Sequence, residues 1–171
     1  MADRSERASK QPIDERNITM SLKDRIGEQI KAAMKAKDKL RLETVRSIKK
    51  AILEKEVSVR PQGQEELTQE QEIELVSQLA KQRRDSIAQY RDAGRDDLAD
   101  LEAQELVILE EFLPKQLSEA EIQAVVDEQI AKVGATSPKD MGKVMGPLMQ
   151  QLKGRADGKT VQEIVKHKLS Q

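Results

Sequence analysis

Apolar residues in this 171-residue chain recur at intervals of three and four with polar residues between them, the spacing that lays a stripe along one side of an α-helix. Leu22, Ile26, Ile30, Ala33 and Met34 make a first stripe. After Asp38, a candidate cap, Leu42, Val45, Ile48 and Ile52 make a second, so the two predict a helical hairpin. Ser58-Val-Arg-Pro-Gln-Gly-Gln reads as a loop. Thr68 and Gln71 then form a capping box before a long helix carrying Ile73, Val76, Ala80, Ile87 and Tyr90 and ending near Gly94. A fourth helix is expected from about Asp97 to Phe112, since Pro114 disfavours helical geometry at Leu113.

The chain restarts after Pro114-Lys-Gln-Leu. Ser118 and Glu121 form a second capping box, Leu117 and Ile122 are placed as its hydrophobic staple, and Gly134 can end that helix in left-handed geometry. Ser137, Pro138 and Asp140 predict a helix beginning at Pro138, with Met141, Val144, Met145, Leu148, Met149 and Leu152 on one side and Gly154 at its end. Asp157 caps a last helix bearing Val161, Ile164, Val165 and Leu169. The expected fold class is all-α, four helices plus three. Residues 20–114 are expected to form one domain and 115–171 a second. Residues 1–19, polar and without an apolar core, read as a disordered arm or an upstream extension.

Several stretches carry a family resemblance. Met141-Gly-Lys-Val-Met-Gly-Pro-Leu-Met, Leu152-Lys-Gly-Arg-Ala-Asp-Gly and Val161-Gln-Glu-Ile-Val closely resemble the YqeY-like proteins and are similar to the C-terminal tail of the GatB subunit of tRNA-dependent amidotransferases. Met34-Lys-Ala-Lys-Asp, Leu42-Glu-Thr-Val-Arg-Ser-Ile, Lys81-Gln-Arg-Arg-Asp-Ser-Ile, Tyr90-Arg-Asp-Ala-Gly-Arg-Asp-Asp-Leu-Ala and Phe112-Leu-Pro-Lys-Gln-Leu-Ser fit the same family in the same order. The resemblance implies a helical tail that helps hold tRNA. Activation of the tRNA-linked carboxylate belongs to another domain of GatB, and release of ammonia from glutamine to a separate subunit. A carbon–nitrogen ligase label with glutamine as amido-N-donor would therefore be inherited from the larger complex.

Composition narrows the chemistry. Tyr90 and Phe112 are the only aromatic residues and there is no cysteine, so disulfides, thiolate metal sites and a cysteine nucleophile are excluded. No apolar run approaches the roughly 20 residues of a membrane helix, and a cytoplasmic protein without membrane association is expected. The net charge of −1 conceals a partition. Residues 20–60 carry twelve bases against six acids, residues 61–137 seven against eighteen, and residues 138–171 seven against three. A basic C-terminal segment attracts phosphate while the acidic middle repels it.

The candidate nucleic-acid contacts are Lys143, Lys153, Gly154, Arg155, Gly158, Lys159 and Lys166, with Lys168 in the same patch: side chains for phosphates, and glycine amides near a helix start. Ordinary solvated charge explains the same residues. With so few aromatics, RNA recognition would rest on backbone and shape rather than stacking. Lys31, Lys35, Lys37, Lys39, Arg41, Arg46, Lys49 and Lys50 read chiefly as an ion-paired face. Gly142, Gly146 and the three methionines Met141, Met145 and Met149 are expected to pack within the domain. His167 stands near a helix end, and no Ser-His-Asp set, P-loop, dinucleotide fingerprint or EF-hand loop is present. No catalytic residue, metal or cofactor is assigned. The leading expectation is a noncatalytic module for tRNA or another structured RNA, working with the aminoacylation or transamidation machinery and not with DNA. A protein-interaction adaptor is the alternative, and an autonomous amidotransferase the third.

Overall fold

The computed structural model describes residues 20–171, so the expected N-terminal arm lies outside the described residues. Within them the chain is all-α. Helices α1 (Leu22–Ala36) and α2 (Lys39–Val59) form the expected hairpin. Ser21 and Asp38 cap them by accepting from the amides of Asp24 and Arg41, and Lys37 makes the left-handed turn between them at φ 56°. A short 3₁₀ turn (Arg60–Gln62) leads to α3 (Gln69–Asp92), opened by the Thr68–Gln71 capping box. Helices α3 and α4 (Asp96–Glu110) make the most extensive helix pair.

The first core takes Leu22, Ile26, Val45, Ile48, Ile52 and Val76 from the predicted stripes and adds Ile108, Leu109 and Phe112 from the end of α4 and the turn after it, for which no stripe is predicted. Met34 departs from it at 56% exposure, because one residue beyond the buried Ala33 is about 100° further round the helix. Helix α4 also stops two residues short of the expected Phe112. Ahead of Pro114, the amides of Glu111, Phe112 and Leu113 turn to carbonyls three residues back, which tightens the end of the helix.

Past Pro114, α5 (Glu119–Val133), α6 (Met141–Gln151) and α7 (Gly158–Leu169) pack mutually around Ile122, Val126, Val144, Leu148, Leu152, Val161, Val165 and Leu169. This core shares no residue with the first. The helix expected from Pro138 begins instead as a 3₁₀ turn, Pro138–Asp140, and becomes α-helical at Met141. Asp140 explains the tight start, because its carboxylate reaches back to the amides of Thr136 and Ser137 at 3.0 and 3.3 Å. The packing expected of Gly142 and Gly146 is not found: both are exposed, with open space where a Cβ would stand. The face that packs is Val144, Leu148 and Leu152, about 200° round the helix from each glycine.

The caps of this lobe predict its response to acid. The Ser118 amide donates to Glu121 at 2.8 Å and holds that carboxyl below its ordinary 4.5. The amides of Thr136 and Ser137 act likewise on Asp140, whose ordinary value is 3.8. Carboxyl groups with a lowered folded-state pKa contribute stability above their unfolded values and lose it as pH falls through the folded ones. Thermal melts are expected to show stability declining as pH drops below 4.5, with Glu121→Gln removing part of that decline. A variant as acid-sensitive as the wild type would show that the box contributes nothing.

Candidate functional site

The turn between α6 and α7 brings the two lobes together. Gly154 sits there at φ 72°, and a Cβ on it would collide with the Ile73 side chain of α3 and stand 3.5 Å from Pro114. Its carbonyl accepts from the Gln116 amide at 2.6 Å, and the same amide donates to the Pro114 carbonyl at 2.9 Å. The neighbouring Lys153 reaches Glu70 of α3 at 2.9 Å. That contact holds Glu70 below and Lys153 above their ordinary pKa ranges. Arg84, also on α3, lies 2.9 Å from Glu110 and 3.7 Å from Asp157. A short glycine turn thus brings a lysine and a capping aspartate against α3.

This geometry sorts the candidate residues. Lys143 lies 3.5 Å from Asp140, and Lys153 is engaged by Glu70. Arg155, Lys159 and Lys166 are exposed and have no carboxylate within 4.0 Å among the described residues, whereas Lys168 pairs with Asp127 at 2.9 Å. Gly154 packs against α3. Gly158 opens α7, but Asp157 already caps that end by accepting from the Thr160 amide at 3.1 Å. Three exposed cations, Arg155, Lys159 and Lys166, thus remain without a carboxylate partner among the described residues, while the glycines serve the turn. His167 is exposed on the last turn of α7, 3.3 Å from the Gln171 amide.

The motif Lys81-Gln-Arg-Arg is a fastener. Arg83 lies 2.7 Å from Glu105 and 3.4 Å from Glu102, tying α3 to α4, while Arg84 extends the link to α7. Glu102, Glu105 and Glu110 of the acidic middle are engaged in these pairs, and Glu111 binds Arg41 at 2.8 Å. On the other side of Arg84 a cavity of about 750 Å³ opens between α3 and the α6–α7 turn. Lys81, Leu113, Met145, Met149, Ala156 and Lys159 are among its walls. The core-filling role expected of the methionines holds partly for Met141 and Met145, which pack on the second core, but Met149 is 37% exposed at the groove. Sequence reasoning did not find this groove. Its walls come from segments some seventy residues apart, and Met149, which lines it, reads in the sequence as core.

The family model described as Yqey-like protein matches residues 23–169, which takes in both lobes and the groove. The chain belongs to this family. Among YqeY relatives, the "Altered inheritance of mitochondria protein 41, mitochondrial" of Lachancea thermotolerans is 33% identical over 111 residues, 64% of this chain and 58% of the relative. Its namesake from Kluyveromyces lactis is 31% identical over 135 residues, 77% and 67% of the two chains. That from Pyrenophora tritici-repentis is 28% identical over 149 residues, 82% and 79%. The chain thus spans less than three fifths of the first of these relatives. The expectation of a cytoplasmic protein is overturned by these names, all of which are mitochondrial. It rested on the lack of a membrane-spanning helix, and that property does not specify a compartment.

Proposed function

We propose that this YqeY-family chain is a noncatalytic accessory module that holds a structured RNA, tRNA above all, by its phosphates. The carrying observation is the cationic set Arg155, Lys159 and Lys166, exposed on the lobe where bases outnumber acids and left without a carboxylate partner among the described residues. Exposed cations release counterions when they meet phosphate, whereas already paired ones must first give up an acid. The acidic stretch of residues 61–137 orients the contact by repelling RNA from its own part of the surface. The resemblance to the GatB tail supports tRNA as the ligand and the transamidation machinery as its setting. The relatives' names support a mitochondrial setting, tested by whether a tagged full chain co-fractionates with mitochondria in yeast.

Binding of full-length chain to tRNA over a salt series tests the RNA reading. Reversing Lys143, Arg155, Lys159 and Lys166 to Glu is expected to lower the slope of log affinity against log salt by about one for each phosphate that is no longer neutralised. Lys153 is spared, since its reversal would also break the contact with Glu70. Reversing Lys31, Lys35, Lys39 and Lys49 on α1 and α2 is expected to do less. Unchanged affinity and slope in the C-terminal variant would remove this patch from the reading.

A further inference from the structure

The groove between α3 and the α6–α7 turn has a chemistry that phosphate binding leaves unused, and we propose that it docks an acidic amphipathic helix of a protein partner. Its walls come from α3, α6, α7 and the segments that connect them, and belong to both lobes. Met145, Met149 and Ala156 supply apolar surface on the side of the α6–α7 turn, and Leu113 adds to it from the segment after α4. Met149 is the informative residue: at 37% exposure it leaves the buried stripe of α6 and turns its flexible thioether to the groove, with its methyl group close to Gly158. Unbranched, polarizable side chains suit a surface that must fit the irregular face of an incoming helix. An amphipathic helix presents such a face, with anchors at intervals of three, four and seven residues.

Charge chooses among amphipathic helices. Four cations, Lys81, Arg84, Lys153 and Lys159, line the groove against two acids, Glu74 and Asp157. Asp157 is engaged by Arg84, and Lys153 by Glu70. Lys81 on α3 and Lys159 on α7 remain without a carboxylate partner among the described residues, one on each wall. A helix with acids flanking an apolar stripe would meet both walls and the methionines together. A polyphosphate chain would leave the apolar walls unused, and among the described residues no aromatic ring lines the groove to receive a base. The inference shares only Lys159 with the RNA reading and is separable from it, because Lys81 and Met149 lie outside the patch proposed for phosphate.

The test is fluorescence anisotropy with the full chain and a labelled synthetic 15-residue helix, carrying Leu on one face and Glu elsewhere. One control replaces every Glu by Lys, and the other scrambles the Leu positions off a common face. The expected result is saturable one-to-one binding of the acidic helix, at least about tenfold tighter than either control. Lys81→Glu with Lys159→Glu, and separately Met149→Gln, are each expected to weaken it by about tenfold. All three positions are exposed, and melting curves establish that each variant is folded; Met149→Gln alone still decides if the double reversal is not. Equal binding of the acidic and basic helices, or wild-type affinity in Met149→Gln, would overturn the proposal. Two further results also defeat it: tRNA binding that Met149→Gln abolishes would give the groove to RNA, and self-association that it abolishes would give it to a second copy.

Discussion

Leu148→Ala is expected to unfold the C-terminal lobe selectively while leaving the N-terminal one intact. Leu148 is fully buried among Val144, Val161 and the other residues of the second core. Its truncation costs about 2–5 kcal/mol through lost transfer energy and the cavity left behind. A lobe of fewer than sixty residues has little reserve against such a loss. The first core contains none of these residues, so calorimetry is expected to show its transition unmoved, and Ile48→Ala to produce the mirror-image result. The exposed Lys153–Glu70 pair couples the lobes only weakly. The division into two domains, proposed here from the separate cores, also requires that a fragment beginning at Lys115 be helical and melt cooperatively. A single transition that either core substitution shifts equally would refute it.

Local rules made most of the helices legible. Ser118 with Glu121 and Thr68 with Gln71 each place polar side chains where the first amides of a helix need acceptors, and the observed boxes are those pairs. The apolar stripes likewise named most residues of both cores but missed Ile108, Leu109 and Val126. Periodicity was less informative where two faces compete: Met145 and Met149 fit the stripe of α6, yet the latter leans to the groove. Gly142 and Gly146 share a face by spacing, but spacing does not say whether another helix approaches it. Ion pairing was the least legible property. Lys153, Arg155 and Lys159 look alike in the sequence, and only the placement of Glu70 across the lobe boundary separates the engaged lysine from its neighbours. The groove itself is a product of lobe docking, for which no local pattern exists.

Gly154→Ala is expected to destabilise the protein well beyond Gly134→Ala, although the two glycines have nearly the same backbone. Their φ values are 72° and 66°, so an alanine at either position takes on the left-handed penalty of about 1–2 kcal/mol. Nothing lies within 4 Å of a Cβ at Gly134, whereas one at Gly154 runs into the Ile73 methyl. That methyl belongs to α3 and the turn to the C-terminal lobe, so relief of the clash requires either Ile73 or the lobe contact to give way. Ile73→Ala removes the obstacle, and a double-mutant cycle between the two positions is expected to show coupling above about 0.5 kcal/mol. Hydrogen exchange supplies the structural readout. In Gly154→Ala, amides of the α6–α7 turn are expected to lose protection while those around Gly134 keep theirs, since the strain falls at the lobe contact. Equal costs for the two alanines with no coupling to Ile73 would mean that the glycine is needed only for its φ and not for its fit against α3.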